Sequence, residues 1–198
     1  MIKLETAHRC GVVLALAAAL GCATGYVRGP LDLPRAEAGE VFVESIELDA
    51  DRSILRGAVV LDVPPWQALN LYADLEGMPA WHAMFADVRV TRREGDVAEA
   101  LFSIRPLLGR TWEPMAAVVR VDRERMELSV TGYENAWMRS SQSLIKAERF
   151  DPEGRRTLLT GYSTVDAKVF GASLTRGTQE ERLAQALRNA REAARLPR

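Results

Sequence analysis

Between residues 87 and 168, short apolar stretches are cut at near-regular intervals by polar turns, which is the signature of strands rather than of helices. Asp87 to Arg92 and Val97 to Ile104 flank Arg93-Glu94-Gly95-Asp96. Met115 to Val121 and Met126 to Thr131 flank Asp122-Arg123-Glu124-Arg125, and Ser140 to Phe150 and Arg156 to Lys168 flank Asp151-Pro152-Glu153-Gly154. Gly95 is available for the positive φ of a tight turn, and Pro152 with Gly154 suits another. Three hairpins in series predict an antiparallel meander. Upstream, Val41, Val43, Ile46 and Leu48 alternate broadly, Asp49 to Arg52 is polar enough to turn, and Ile54 to Leu61 follows as a second strand.

The helical period appears in two places. Val59 to Leu61 ends a strand at Val63-Pro64-Pro65, and prolines suit the first turn of the helix that follows. Trp66, Leu69 and Ala73 recur at helical spacing with Tyr72 on the flank, until Gly77 and Pro79 stop the helix. A second short turn carries Trp81, Met84 and Phe85. At the far end Leu183, Leu187, Ala190 and Ala194 share one face, with Glu180, Arg182, Arg188, Arg191 and Glu192 on the others. Thr178 with Glu181 fits a capping box, and Ser173 offers an earlier start. A long amphipathic helix after six or seven antiparallel strands needs a sheet to lie on, so the fold class is α+β.

The amino terminus reads differently. Lys3 and Arg9 precede Val12 to Leu20, a purely apolar run too short to span a bilayer as a helix, which predicts an export signal. The run ends Ala19-Leu20-Gly21-Cys22 and resembles a bacterial lipobox, which implies acylation of Cys22. We therefore divide the chain into a lipoprotein signal peptide over 1–21, a flexible tether over 22–40 and one ligand-binding domain over 41–198. The tether assignment rests on Gly25, Gly29, Pro30, Pro34 and Gly39 in a stretch without apolar period. Localisation follows as the cell envelope, lipid-anchored on the periplasmic face or at the outer membrane of a Gram-negative host.

Composition narrows the chemistry. With 26 basic against 27 acidic residues there is no electrostatic case for nucleic acid. Both cysteines, Cys10 and Cys22, precede the domain, and the two histidines, His8 and His82, are too few for a zinc site. We expect no metal and no cofactor. The run Ser140-Ser141-Gln142-Ser143 has hydroxyls but no nucleophile elbow, and no glycine-rich phosphate loop occurs.

Val63-Pro64, Asp74 and Pro79-Ala80-Trp81 resemble the "strand, Ala-Pro, helix, Asp, Pro-x-Trp" opening of the START-like superfamily, also called SRPBCC, which includes polyketide cyclases and coenzyme Q-binding proteins. The resemblance covers about Ile54 to Leu196. It implies a helix-grip fold: a curved antiparallel sheet wrapped around the long carboxy-terminal helix, two short helices after the first strands, and an apolar cavity between sheet and helix. It also implies a hydrophobic ligand.

For that ligand the candidate binding residues are Trp81, Met84, Phe85, Trp112, Tyr133 and Trp137. Aromatic groups with a polar handle suit either a cavity wall or a core edge, and Met115, Met126 and Met138 add adaptable apolar surface. Trp81 reads as a wall and His82 as a residue facing solvent. Arg110 could clamp a polar head group, although a surface turn with Glu113 explains it as well. The expected function is a membrane-tethered binding or transfer protein for a lipid, isoprenoid or quinone-like molecule. Two alternatives stay open: a cyclase- or dehydrase-like enzyme using His82, Tyr133, Glu134 and Arg110 as acid–base groups, and a structural envelope lipoprotein whose cavity is closed.

Overall fold

The computed structural model of the chain describes residues 26–49, 52–106, 111–168 and 172–195. The expected signal peptide, Cys22 and Arg110 lie outside the described residues.

All three hairpins of the meander form: β4 (Phe85–Glu94) with β5 (Val97–Ile104), β6 (Met115–Asp122) with β7 (Glu127–Gly132), and β8 (Met138–Arg149) with β9 (Thr157–Ala167). Gly95 and Gly154 take φ of 57° and 66°, the left-handed region their turns require. The upstream hairpin joins β2 (Phe42–Glu47) to β3 (Arg52–Leu61). β3 then pairs along its length with β9, from Arg52 opposite Asp166 to Leu61 opposite Thr157. Counting the short β1 (Val27–Arg28), one curved sheet of nine strands results, in the order β1-β2-β3-β9-β8-β7-β6-β5-β4.

Two helices lie on the inner face, α2 (Pro65–Ala73) and α3 (Ala172–Ala194). Ala184, Leu187 and Ala190 of α3 are fully buried, and small residues there let the helix approach β3 closely. The helix starts at the Ser173 end rather than at Thr178. Glu180, expected on an outer face, is buried and accepts Arg28 Nε at 2.9 Å. In α2 the inward face is also rotated from the expected one. Leu69 is buried as expected, but Ala68, Leu71 and Tyr72 join it while Trp66 is 57% exposed.

The described part of the expected tether, Tyr26 to Glu40, is folded onto the sheet, so the folded body includes residues before Val41. β1 runs parallel to β2, with Val27 N–H donating to the Val41 carbonyl at 2.8 Å. A short helix α1 (Leu33–Glu37) follows, its first turn capped by Asp32, whose carboxylate accepts the Arg35 N–H. Ala36 of α1 packs, fully buried, with Phe42, Ala58 and Val60 on the outer face of the sheet. Three of the residues that suggested a linker are punctuation: Pro34 stands in the first turn of α1, and Gly29 and Gly39 take φ of 124° and 94°. With both faces covered, Gly57 to Leu61 is continuously buried and loses strand alternation.

Candidate functional site

Between the curved sheet, α2 and α3 lies an apolar cavity of about 110 Å³. The strands give it Leu55 of β3, Phe85 of β4, Phe102 of β5, Met115 of β6, Leu128 and Val130 of β7, Ser143 and Ile145 of β8, and Gly161, Tyr162 and Ser163 of β9. Tyr72 of α2, Leu183 of α3, and Met78, His82 and Met84 of the segment after α2 complete the described wall. No charged side chain is among them. Ser143 and Ser163, register partners across β8 and β9, satisfy each other through a 3.0 Å hydrogen bond between hydroxyls. The volume is below the ~300 Å³ of a typical ligand pocket and suits a ring-sized group of about benzene's dimensions.

One end of the cavity is aromatic. Tyr72 meets Trp81 edge-on at 4.9 Å, Trp81 lies 5.2 Å from His82, His82 is 4.6 Å from Phe85, and Phe85 is 5.1 Å from Phe102. The 3₁₀ turn Met78–Ala80 aims this chain of rings inward, with the His82 N–H bonded to the Met78 carbonyl at 2.8 Å. Asn189 of α3 donates to the Trp81 carbonyl at 2.6 Å and fixes the same turn to the helix. Burial away from water pushes the His82 pKa down to about 3 and raises that of Tyr72, so both side chains are neutral near pH 7.

The expected site residues divide into separate places. Met84 and Phe85 line the cavity, and so does Met115. His82 does too, which corrects the solvent-facing expectation: it is 8% exposed. Trp81 is a buried ring behind the wall, packed edge-on against Tyr72, and its indole N–H has no hydrogen-bond partner among the described residues. Trp112 and Trp137 pair with each other at 5.8 Å, and Trp137 Nε1 donates to the Glu113 carbonyl at 3.1 Å. They stand apart from the cavity lining, as does the exposed Tyr133. Glu134 is at the surface on Lys168 at 2.5 Å, a contact that holds its carboxyl below the ordinary range. Of the acid–base candidates within the described residues, only His82 reaches the cavity. Tyr72 was overlooked because Trp66, the bulkiest apolar residue of α2, draws the predicted face toward itself.

A larger hollow of about 580 Å³ lies outside the sheet–helix layer, between α1, its following loop and the last turns of α3. Arg35, Arg188, Arg191 and Arg195 line it with Glu40 and Glu192. All four of its arginines are engaged: Arg35 with Glu40 at 2.6 Å, Arg188 with Gln185 Oε1 at 2.8 Å, Arg191 with the Gly39 carbonyl at 2.8 Å, and Arg195 with Asp62 at 2.5 Å. This is a wet, ion-paired surface cleft, so the smaller apolar cavity is the candidate site. Among the described residues no helix is long and apolar enough to cross a membrane.

No family model matches the chain, and no curated protein sequence matches it. Solved structures do. The Zhui aromatase/cyclase from Streptomyces sp. R1128 superposes with a TM-score of 0.62 at 12% identity, covering 72% of this chain and 93% of that one. TTHA0849 from Thermus thermophilus gives 0.60 at 18%, covering 71% and 96%. A START superfamily protein from Mycobacterium smegmatis gives 0.56 at 16%, covering 71% and 97%. At these identities the likeness establishes the fold, which is the START-like helix-grip.

Proposed function

We propose that this protein holds a hydrophobic molecule in the cavity between the sheet and α3, at a membrane surface, and presents or transfers it without converting it. The observation that carries the reading is the cavity lining, which is apolar and free of charge at the centre of the domain. Met78, Met84 and Met115 contribute three unbranched side chains to that wall. Such residues repack at little cost, which lets a cavity of ring size widen around a longer molecule.

The placement of the polar groups supports holding over chemistry. Tyr133 and Glu134 are on the surface, away from His82. A general base works best with a pKa near the operating pH, and His82 at about 3 is far below it.

Membrane attachment would come from acylation of Cys22. Only Ala23, Thr24 and Gly25 separate Cys22 from Tyr26, whose hydroxyl is 3.4 Å from Glu180 of α3. Four extended residues reach about 14 Å, so the body would be held close to the bilayer rather than on a long leash.

Native mass spectrometry of the protein from its own host, followed by solvent extraction, tests the reading. We expect a co-purifying hydrophobic molecule and a diacylglyceryl mass on Cys22. A ligand-free protein that also fails to take up fluorescent lipids overturns it.

A further inference from the structure

The cavity contains two polar side chains that apolar packing does not require. Tyr72 is 4% exposed and His82 8%, and both face the cavity. Among the described residues neither the Tyr72 hydroxyl nor His82 Nε2 has a hydrogen-bond partner. Neither atom is sealed off from a water-sized probe, so both stay open to a ligand group or a water that pairs them.

Their chemistry can be read from the protein alone. The Met84 backbone N–H donates to His82 Nδ1 at 3.3 Å. A nitrogen that accepts carries the lone pair, so the ring hydrogen is on Nε2. The phenol keeps its proton as well. Both groups are therefore neutral hydrogen-bond donors, with ring centroids 6.4 Å apart and planes crossed at 87°. The hydroxyls of Ser143 and Ser163, also in the wall, satisfy each other. Among the described residues no arginine, lysine or carboxylate lines the space, so a charged head group would lose its hydration without gaining a counter-ion.

We infer that the Tyr72–His82 end of the cavity selects a neutral carbonyl oxygen, of ketone, quinone or ester type, on an otherwise apolar ligand, and discriminates against carboxylates. The inference rests on the proposed ligand-holding role. Tyr72 and His82 are then the specificity-determining residues: the aromatic chain around them receives the ring or chain, and its oxygen takes a hydrogen bond from one or both donors.

Three probes of one size separate the possibilities: acetophenone, its hydrocarbon isostere α-methylstyrene, and benzoate, each titrated into the purified full chain by ligand-observed NMR. Two net hydrogen bonds correspond to roughly a tenfold preference or more for acetophenone over α-methylstyrene, and benzoate should show no saturable binding. Tyr72→Phe should remove most of that preference, read as the ratio of the acetophenone and α-methylstyrene affinities in the variant against the same ratio in the wild type. The ¹⁵N resonance of His82 Nε2 gives a readout independent of any variant's folding and should shift with acetophenone but not with α-methylstyrene. Equal affinity for the two neutral probes, unaltered by Tyr72→Phe, overturns the carbonyl inference while leaving the ligand-holding role intact. Benzoate binding as well as acetophenone overturns the charge discrimination. Failure of all three probes to bind overturns both the inference and the role beneath it.

Discussion

Gly57 of β3 and Gly161 of β9 are register partners, and each leaves room on the inner face of the sheet for a different neighbour. At Gly57 the neighbour is the long helix: a Cβ there would come within 2.7 Å of Leu187 Cδ1 and 2.8 Å of Leu183 Cδ2. At Gly161 a Cβ would meet only Ile145 Cδ1, at 3.2 Å, and the remaining space belongs to the cavity. One glycine pair thus seats α3 and keeps the pocket next to it open.

Gly57→Ala should therefore destabilise the domain, although alanine restricts the unfolded chain and on that ground alone would stabilise it by about 0.4–1 kcal/mol. Overpacking against Leu183 and Leu187 costs about 1–3 kcal/mol, so the net loss is on the order of 1 kcal/mol. Leu183 also lines the cavity, and its displacement should weaken acetophenone binding. Urea denaturation and the same titration check both, and an unchanged or raised midpoint would show that α3 does not press on β3 here.

Thr157, fully buried at the start of β9, donates to the Val63 carbonyl at 2.6 Å. The bond ties the β3–α2 connection to the sheet and so sets where α2 delivers Tyr72. Thr157→Val keeps the shape but leaves a buried carbonyl without its donor, at a cost of about 1–3 kcal/mol. Chemical denaturation reads the loss, and a change below about 0.5 kcal/mol would mean that the carbonyl finds another partner.

The histidine makes stability depend on acid. His82 has a folded pKa of about 3, depressed by burial from an ordinary 6.5. Between those values the unfolded chain binds the proton and the folded one does not, so its contribution is complete above about pH 6.5 and is lost as pH falls toward 3. The slope is at most about 1.4 kcal/mol per pH unit for one group. His82→Phe should flatten the pH dependence of the denaturation midpoint over that interval. Equal slopes for the two proteins would mean that other groups, not His82, carry the acid sensitivity.

Much of this architecture is legible in the sequence because hairpin turns and amphipathic periods are local. The turn at Gly95, the turn at Gly154 and the apolar stripe through Leu187, Ala190 and Ala194 all form where the pattern places them. The site is less legible. Met84 and Phe85 are found from the sequence, whereas Trp112, Tyr133 and Trp137 are aromatic residues whose strand-end positions lie away from the lining. An apolar body with a polar tip marks both kinds of place equally, and only the register of β5 to β9 separates them. His82 is buried by contacts with Phe85 and with the turn from Met78, which no spacing rule reports. The folded strap from Tyr26 was missed because α1 has only five residues, too few for a period to appear.

Gly161→Val separates a ligand carrier from an envelope protein whose cavity is merely residual. Position 161 is in the middle of β9, paired to β3 on one side and to Ile145 of β8 on the other, and valine favours such a strand. The single tight contact is with Ile145 Cδ1, the far end of a flexible side chain. Restriction of the unfolded chain offsets that crowding, and stability should stay within about 1 kcal/mol of wild type. The isopropyl group would take up much of a space of about 110 Å³. If the cavity is the ligand site, the folded variant should bind acetophenone at least roughly tenfold more weakly, the equivalent of about 1.4 kcal/mol, and carry no co-purifying molecule. If the variant binds as wild type does, the ligand lies elsewhere and the cavity has no carrier role. A wild type that never binds a ligand, together with a variant of equal or greater stability, would identify the cavity as a packing defect in a structural protein.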